Sequence, residues 1–373
     1  MDIVLSVDAL TPNPGGIGRY TWELCKGLAR RADIDSLRYA ARGRLIDDPE
    51  ALLRGARPAR PRGPFRLVAE RKLRQAFRAS LVHGPNYFLP PLAVTGVITV
   101  HDLSVLRFPE THPAERVKIF EKQLIPSIER SLQIITDAEA IRRELIDTFS
   151  LAPDKVTAIP LGVEQRFRPA TPELAAKVRE QWGLTAGAYG LCVTTLEPRK
   201  RIPELIRAWR NLPGELRARF PLVLAGGSGW RNESILEEVE RAAAEGWLLN
   251  LGFVDDARLP GLYAGAALFA YPSIYEGFGL PPLEAMASGV PVIVARESSL
   301  PEVCGDAARY VCPDDVDEFA EAIREILGDA ALRAGMVERG LARAREFTWE
   351  RCTEATVDVY RAALAASGAT IPD

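Results

Sequence analysis

What the chain lacks narrows the field first. Its 373 residues include five cysteines, Cys25, Cys192, Cys304, Cys312 and Cys352. They are odd in number and widely scattered, with no CxxC pair, which argues against a disulfide framework and a zinc site. Such usage fits a reducing, cytoplasmic setting. Only three histidines are present. No HExxH, P-loop, GxSxG or metal-spaced His/Cys cluster occurs, so the sequence gives metalloprotease, NTPase and serine-hydrolase chemistry no foothold. The opening residues, MDIVLSVD, have neither the basic start nor the apolar run of a secretion signal. Long apolar runs are missing too. The uncharged stretches 84–100 and 259–275 both contain prolines and fall short of the about 20 apolar residues that a membrane span needs.

What is present belongs to an ordinary globular protein, with 47% hydrophobic and 26% charged residues. The length exceeds what one hydrophobic core usually serves, so two domains are expected. Apolar runs bounded by turn residues alternate with helix-period segments, the pattern of repeated βα units and parallel sheets. The expected fold is therefore α/β, with two Rossmann-like doubly wound domains facing a central cleft. In the first half, strands are expected near 3–7, 37–40, 97–100, 133–136 and 156–159. In the second half they fall near 190–194, 222–225, 248–251, 268–270, 292–294 and 309–311. A polar stretch around Ala170 marks the boundary and gives domains 1–169 and 170–348. A last helix within 349–373 has no strand after it and is free to fold back. The halves differ in charge. Residues 1–170 carry 26 cations against 20 acids (+6) and residues 171–373 carry 21 against 30 (−9), in keeping with the total of −3. An anionic partner for the first half follows.

In open α/β sheets ligands meet the loops after the strands' carboxyl ends, so those loops hold the candidates. After the first strand, Gly15-Gly16-Ile17-Gly18-Arg19-Tyr20 leaves amides open at a helix start, where anions are favoured; a turn that needs glycine for geometry alone would read the same. His101-Asp102 follows the strand 97–100. An imidazole there can donate to a sugar hydroxyl or to developing charge, or simply cap the next segment. Arg199-Lys200-Arg201 sits before a helix expected from Ile202. Cations there oppose the helix dipole, and a dianionic diphosphate would reverse that penalty. Glu276-Gly277-Phe278-Gly279-Leu280-Pro281-Pro282-Leu283-Glu284 is the strongest signal. Its prolines suit a first helical turn, placing Glu284 near the helix N-terminus as an ionised acceptor for two ribose hydroxyls. Asp33-Ile34-Asp35 has metal-motif spacing but reads as a polar turn.

From Arg54 to Arg78 nine cations face one acid, Glu70. Phe65, Val68, Ala69, Lys72, Leu73, Ala76, Phe77 and Leu81 recur there at helical spacing. An interfacial helix that binds anionic lipid has this composition, and so does a surface helix packed on its own domain. Nucleic acid is disfavoured as a partner, because no aromatic stacking platform accompanies the charge.

Taken in order, these motifs resemble glycosyltransferase family 4, retaining enzymes with the GT-B fold, over nearly the whole chain. The GGIGRY loop looks like the family's first loop, and His83-Gly84-Pro85-Asn86-Tyr87 and His101-Asp102-Leu103-Ser104, with Pro109-Glu110 after it, look like a bacterial mannosyltransferase branch. In the second half Glu197-Pro198-Arg199-Lys200, Ala225-Gly226-Gly227-Ser228-Gly229, Gly252-Phe253-Val254 and the Glu276/Glu284 pair follow in the family's order. The resemblance implies that His101, Glu276, Arg199 and Lys200 serve catalysis. The nucleotide-sugar donor would be held by Gly16, Gly18, Arg199, Lys200, Gly227, Phe253, Val254, Glu276, Gly277, Phe278, Gly279, Leu280 and Glu284. It implies no metal and no cofactor, and GDP-mannose as first-choice donor with UDP-sugars as the alternative. A lipid-linked or polysaccharide acceptor is expected, and a last helix that crosses back to the first domain. Rival readings are a nucleotide-sugar epimerase or hydrolase and a non-catalytic scaffold. One departure is Asp137-Ala138-Glu139, where relatives often carry serine in the middle. The other is Arg201, where they often carry asparagine.

Overall fold

The structure is a computed structural model that describes residues 1–366. Residues 367–373, the end of the expected last segment, lie outside the described residues. Two compact units emerge. Unit 1 comprises Met1–Leu103, Glu115–Gly162 and 349–373, and unit 2 comprises Ser104–Ala114 and Val163–Thr348.

Unit 1 is built on seven strands: β1 (Asp2–Ser6), β2 (Ser36–Ala41), β3 (Arg44–Ile46), β4 (Leu81–Gly84), β5 (Gly96–Val100), β6 (Ser131–Thr136) and β7 (Val156–Ala158). Their order is β3-β2-β1-β4-β5-β6-β7, parallel throughout except for the β2–β3 pair. Order reverses between β1 and β4, the kind of switch point where doubly wound sheets bind ligands. The strands β3 and β4 have no counterpart in the sequence reading. The first is a three-residue antiparallel edge. The second follows the basic helix after only Ala79 and Ser80, so no turn signal separates them.

Unit 2 carries β8 (Gly190–Val193), β9 (Leu222–Ala225), β10 (Leu248–Asn250), β11 (Leu268–Tyr271), β12 (Val292–Ala295) and β13 (Ala308–Val311). The order is β10-β9-β8-β11-β12-β13, all parallel, with its switch point between β8 and β11. Packing explains why this half is so legible. The helix Ile202–Arg210 buries Ile202, Leu205, Ile206 and Trp209, one stripe at i, i+3, i+4 and i+7. Trp209 donates Nε1–H to Phe220 O at 3.0 Å. A Cβ on Gly190 of β8 would lie 2.1 Å from its ring. Truncating such a buried tryptophan to alanine costs about 3–5 kcal/mol.

The last helix, Trp349–Ala366, packs within unit 1. Its Tyr360 hydroxyl meets His83 Nδ1 at 2.7 Å, and Gly27 leaves room for Thr353, whose Oγ1 lies 2.2 Å from where a Cβ would stand. The basic segment forms the helix Pro64–Arg78, and its expected apolar face splits in two. Leu73, Ala76 and Phe77 bury against Val4, Ala40, Val82 and Ala93. Phe65, Leu67 and Val68 stay 76%, 71% and 54% exposed. Asp33 and Asp35 are a turn with structural partners: Arg31 and Arg361 hold Asp33, and the chain's amino terminus holds Asp35.

Candidate functional site

Each unit gathers candidate residues at the carboxyl edge of its own sheet. In unit 2 the loops after β8 and β11, the two strands at the switch point, bring Arg199, Lys200 and Glu276 together. A single 3-10 turn, Pro198–Lys200, presents the cations, and the helix starts only at Ile202. The expected clash with a helix dipole is therefore displaced by one turn, and acids already answer the charge. Lys200 Nζ bonds Glu276 Oε1 and donates to Tyr271 Oη at 3.2 Å. Arg199 reaches Glu197 Oε1 at 2.8 Å, Glu276 Oε2 at 3.8 Å and Tyr275 O at 2.6 Å. Arg201 turns away to Asp314, 2.7 Å, and Glu204.

Lys200 and Glu276 are both buried. Burial alone would raise the Glu276 carboxyl, but Lys200 and Arg199 more than offset it and hold it below the usual glutamate range. The loop is fixed from behind. Ser298 and Ser299 donate to Glu276 O at 2.7 and 2.9 Å, and Ser299 also to Phe278 O at 2.7 Å. The Phe278 ring packs edge-on to Phe347, leaving its backbone as the part able to serve a ligand. Gly279 closes the loop at φ +116°, a region that L side chains avoid, and Gly277 precedes it. Leu280 then opens the helix Leu280–Ala287, so Glu284 stands as its fifth residue. That is where the sequence placed it, just past the first turn that Pro281 and Pro282 occupy. It is buried there.

Backbone bonds knit the neighbouring loops into one frame. Leu196 N–H donates to Gly227 O at 3.1 Å, Gly229 N–H to Leu196 O at 3.1 Å, and Gly226 N–H to Gly252 O at 2.7 Å. Gly226 sits at φ +142°, with Thr194 O 1.8 Å from any Cβ. In the third loop Phe253 is exposed and Val254 buried.

In unit 1, Gly16 begins the helix Gly16–Ala29 and Gly18 is buried within its first turn; no side chain caps the helix. His101, next after β5, is buried. Its Nδ1 lies 2.7 Å from Asp137 Oδ2 and its Nε2 2.9 Å from Pro85 O. Tyr20 and Tyr87 stand edge-on to the ring. His83 differs. Burial drives it down to about 3 and keeps it neutral, between Tyr360 Oη and Thr99 Oγ1. Ala138 is the N-cap of the helix Glu139–Phe149 and makes no side-chain cap bond. The hydroxyl missing from the motif is thus a missing helix cap.

Glu197, Tyr271, Ser298, Ser299 and Asp137 were not singled out as site residues from sequence. Glu197 had a local signal, adjoining the cations, and Asp137 had one in opening the Asp137-Ala138-Glu139 motif. Tyr271 and the serines meet the site across 71, 22 and 23 residues of chain, where no motif can point. Among the described residues, no group of three or more His, Cys, Asp or Glu is placed to hold a metal ion.

Comparison with known proteins supplies the context. A family model described as "Glycosyltransferase Family 4" matches residues 14–167, and one described as "Glycosyl transferases group 1" matches 177–343. The O-antigen chain mannosyltransferase B of Escherichia coli is 38% identical over 97% of this chain and 100% of that protein. The serotype-specific mannosyltransferase WbdA of Escherichia coli is 30% identical over 74% of this chain, which spans 34% of that longer protein. Anabaena HepE, solved with UDP and glucose, superposes with a TM-score of 0.75 at 18% identity, covering 97% of this chain and 99% of that one. That likeness shows the fold, GT-B. The chain is a glycosyltransferase and belongs to glycosyltransferase family 4.

Proposed function

We propose that the chain transfers mannose from a nucleoside-diphosphate sugar, GDP-mannose in the first instance, to a hydroxyl of a lipid-linked or growing polysaccharide acceptor in cell-surface polysaccharide assembly. The anomeric configuration is retained. The buried Lys200–Glu276 pair beside Arg199 carries the transfer reading, because two cations are held side by side, as binding a diphosphate requires. The full-length likeness to an O-antigen mannosyltransferase supports mannose as the sugar.

In this reading the donor diphosphate takes Lys200 and Arg199 from Glu276, and the freed carboxylate accepts from sugar hydroxyls. The amides of Gly277 to Gly279 and of Gly227 complete the cradle, Glu284 grips the ribose, and His101 serves the transferred sugar. The bond from the anomeric carbon to phosphate breaks, and the bond to the acceptor oxygen forms on the same face. The departing phosphate oxygen takes the acceptor's proton. Charge grows on that oxygen in the transition state, so cations waiting in a dry site lower the barrier more than they help ground-state binding. Arg199 and Lys200 supply this charge, and the reading assigns no metal.

The same reading places the enzyme at the cytoplasmic face of the membrane, where lipid-linked acceptors are found. Exposed Phe65, Leu67 and Val68, flanked by Arg71, Lys72 and Arg74, support contact with anionic lipid. No helix among the described residues is long and apolar enough to cross a membrane.

A thermal-shift panel of GDP- and UDP-sugars, followed by product analysis, tests the proposal. GDP-mannose at about 100 times its Kd should add roughly 2.7 kcal/mol of stability. A UDP-sugar giving the larger shift would change the base, and turnover without acceptor would point to an epimerase or hydrolase. No shift with any donor would revive a scaffold role. Full transfer by Glu284→Ala or Lys200→Ala would break the site assignment.

A further inference from the structure

Within unit 1, His101 meets acceptors at both ring nitrogens. Pro85 O has no proton to give, and the nearest atom on the other side is a carboxylate oxygen. With Asp137 ionised, both contacts are satisfied only when the ring carries two protons; burial raises the Asp137 carboxyl and the charge and hydrogen bond of His101 oppose that rise. The Asp137 carboxylate is buried, and its second oxygen, Oδ1, has no hydrogen-bond partner. Its charge is thus answered at one point alone, by His101.

We propose that Asp137 is a positioning residue that holds His101 as an oriented imidazolium, making the ring a hydrogen-bond donor on both edges and never a general base. The functional half of this inference rests on the role proposed above for His101. It deepens that role in one respect: with both N–H groups already given to Asp137 and Pro85, the ring meets a substrate through its positive charge and not as a base. The acceptor's proton then has to leave by another route, in keeping with its transfer to the departing phosphate.

The surroundings agree. Burial by itself would lower the His101 pKa, but the charge and hydrogen bond of Asp137, the Pro85 carbonyl and the charge of Asp102 outweigh it and raise it. The other titratable groups around the pair are His83, held neutral partly by a cationic His101, together with Tyr20, Tyr87 and Cys352. Burial raises Tyr20 and Cys352, keeping them uncharged at neutral pH. The charged form of His101 therefore persists above the ordinary histidine value and is lost only as pH rises through the elevated one.

The test labels the three histidines with nitrogen-15 in the full-length chain and reads their ring nitrogens by NMR at about pH 8, roughly 1.5 units above the ordinary histidine pKa. His101 should show two protonated nitrogens and His83 a neutral ring. A neutral tautomer at His101 overturns the proposal without reference to any donor, so its failure is separable from failure of the mannosyltransferase reading. Asp137→Asn should move His101 to the neutral form at that pH. It should also shift the alkaline limb of kcat/KM down by about 1–3 units, with Asp137→Glu restoring it. A loss of kcat equal at every pH in Asp137→Asn would overturn the role in positioning charge. Should that variant not fold, the wild-type spectrum still decides.

Discussion

At the scale of single residues, the site is a neutral cluster in which Glu197 and Glu276 answer Arg199 and Lys200 inside the protein. Breaking a buried pair is costlier than removing it, because the survivor keeps an uncompensated charge. Lys200→Met should therefore lower the unfolding free energy by about 3–5 kcal/mol. The double variant Lys200→Met/Glu276→Gln should be more stable than Lys200→Met alone, although neither transfers sugar. Urea unfolding of the four proteins in this cycle checks the point, and strictly additive losses would show that the pair is uncoupled. Arg201, the departure from the family pattern, occupies left-handed backbone at φ +50°. Asparagine tolerates that region better than most residues, which gives the relatives' preference a conformational reason.

At the scale of elements, the sequence revealed what repeats and hid what does not. Every strand of unit 2 was legible, because β9, β11 and β12 are buried runs with turn residues on either side. The edge strand β3 is too short for a period to show, and β4 carries His83 and Gly84 where an apolar run would be expected. Motif residues on the loops after β8 and β11 could be named, while their supports, Tyr271 and Ser299, arrive from distant chain. The basic helix Pro64–Arg78 joins two textures, a packed carboxyl half and an amino half with bare apolar side chains. Neutralising Arg71, Lys72 and Arg74, or replacing Phe65 and Leu67 with serine, should weaken sedimentation with vesicles of anionic lipid and leave the melting temperature nearly unchanged. The charge variant's loss should be mimicked by high salt. Binding unchanged in both variants would remove the membrane contact.

At the scale of the whole molecule, unit 1 is assembled from three stretches of chain and unit 2 from two. The hydrogen bond between His83 and Tyr360 spans 277 residues. A chain ending at residue 348 should lose slow hydrogen exchange across β5 and β6, where the last helix packs, and across β4, which it meets at His83, and keep it in β11 and β12. Equal protection of both sheets in the truncated protein would show that the helix is dispensable.

That long-range tether also sets an order of events at the ribosome. Domains usually finish folding from the amino end as they emerge, but here the earliest-made half waits, with His83 lacking one of its two hydroxyl partners, until the helix that carries Tyr360 has been synthesised. Unit 2 can close beforehand, and the newborn enzyme completes its older portion last.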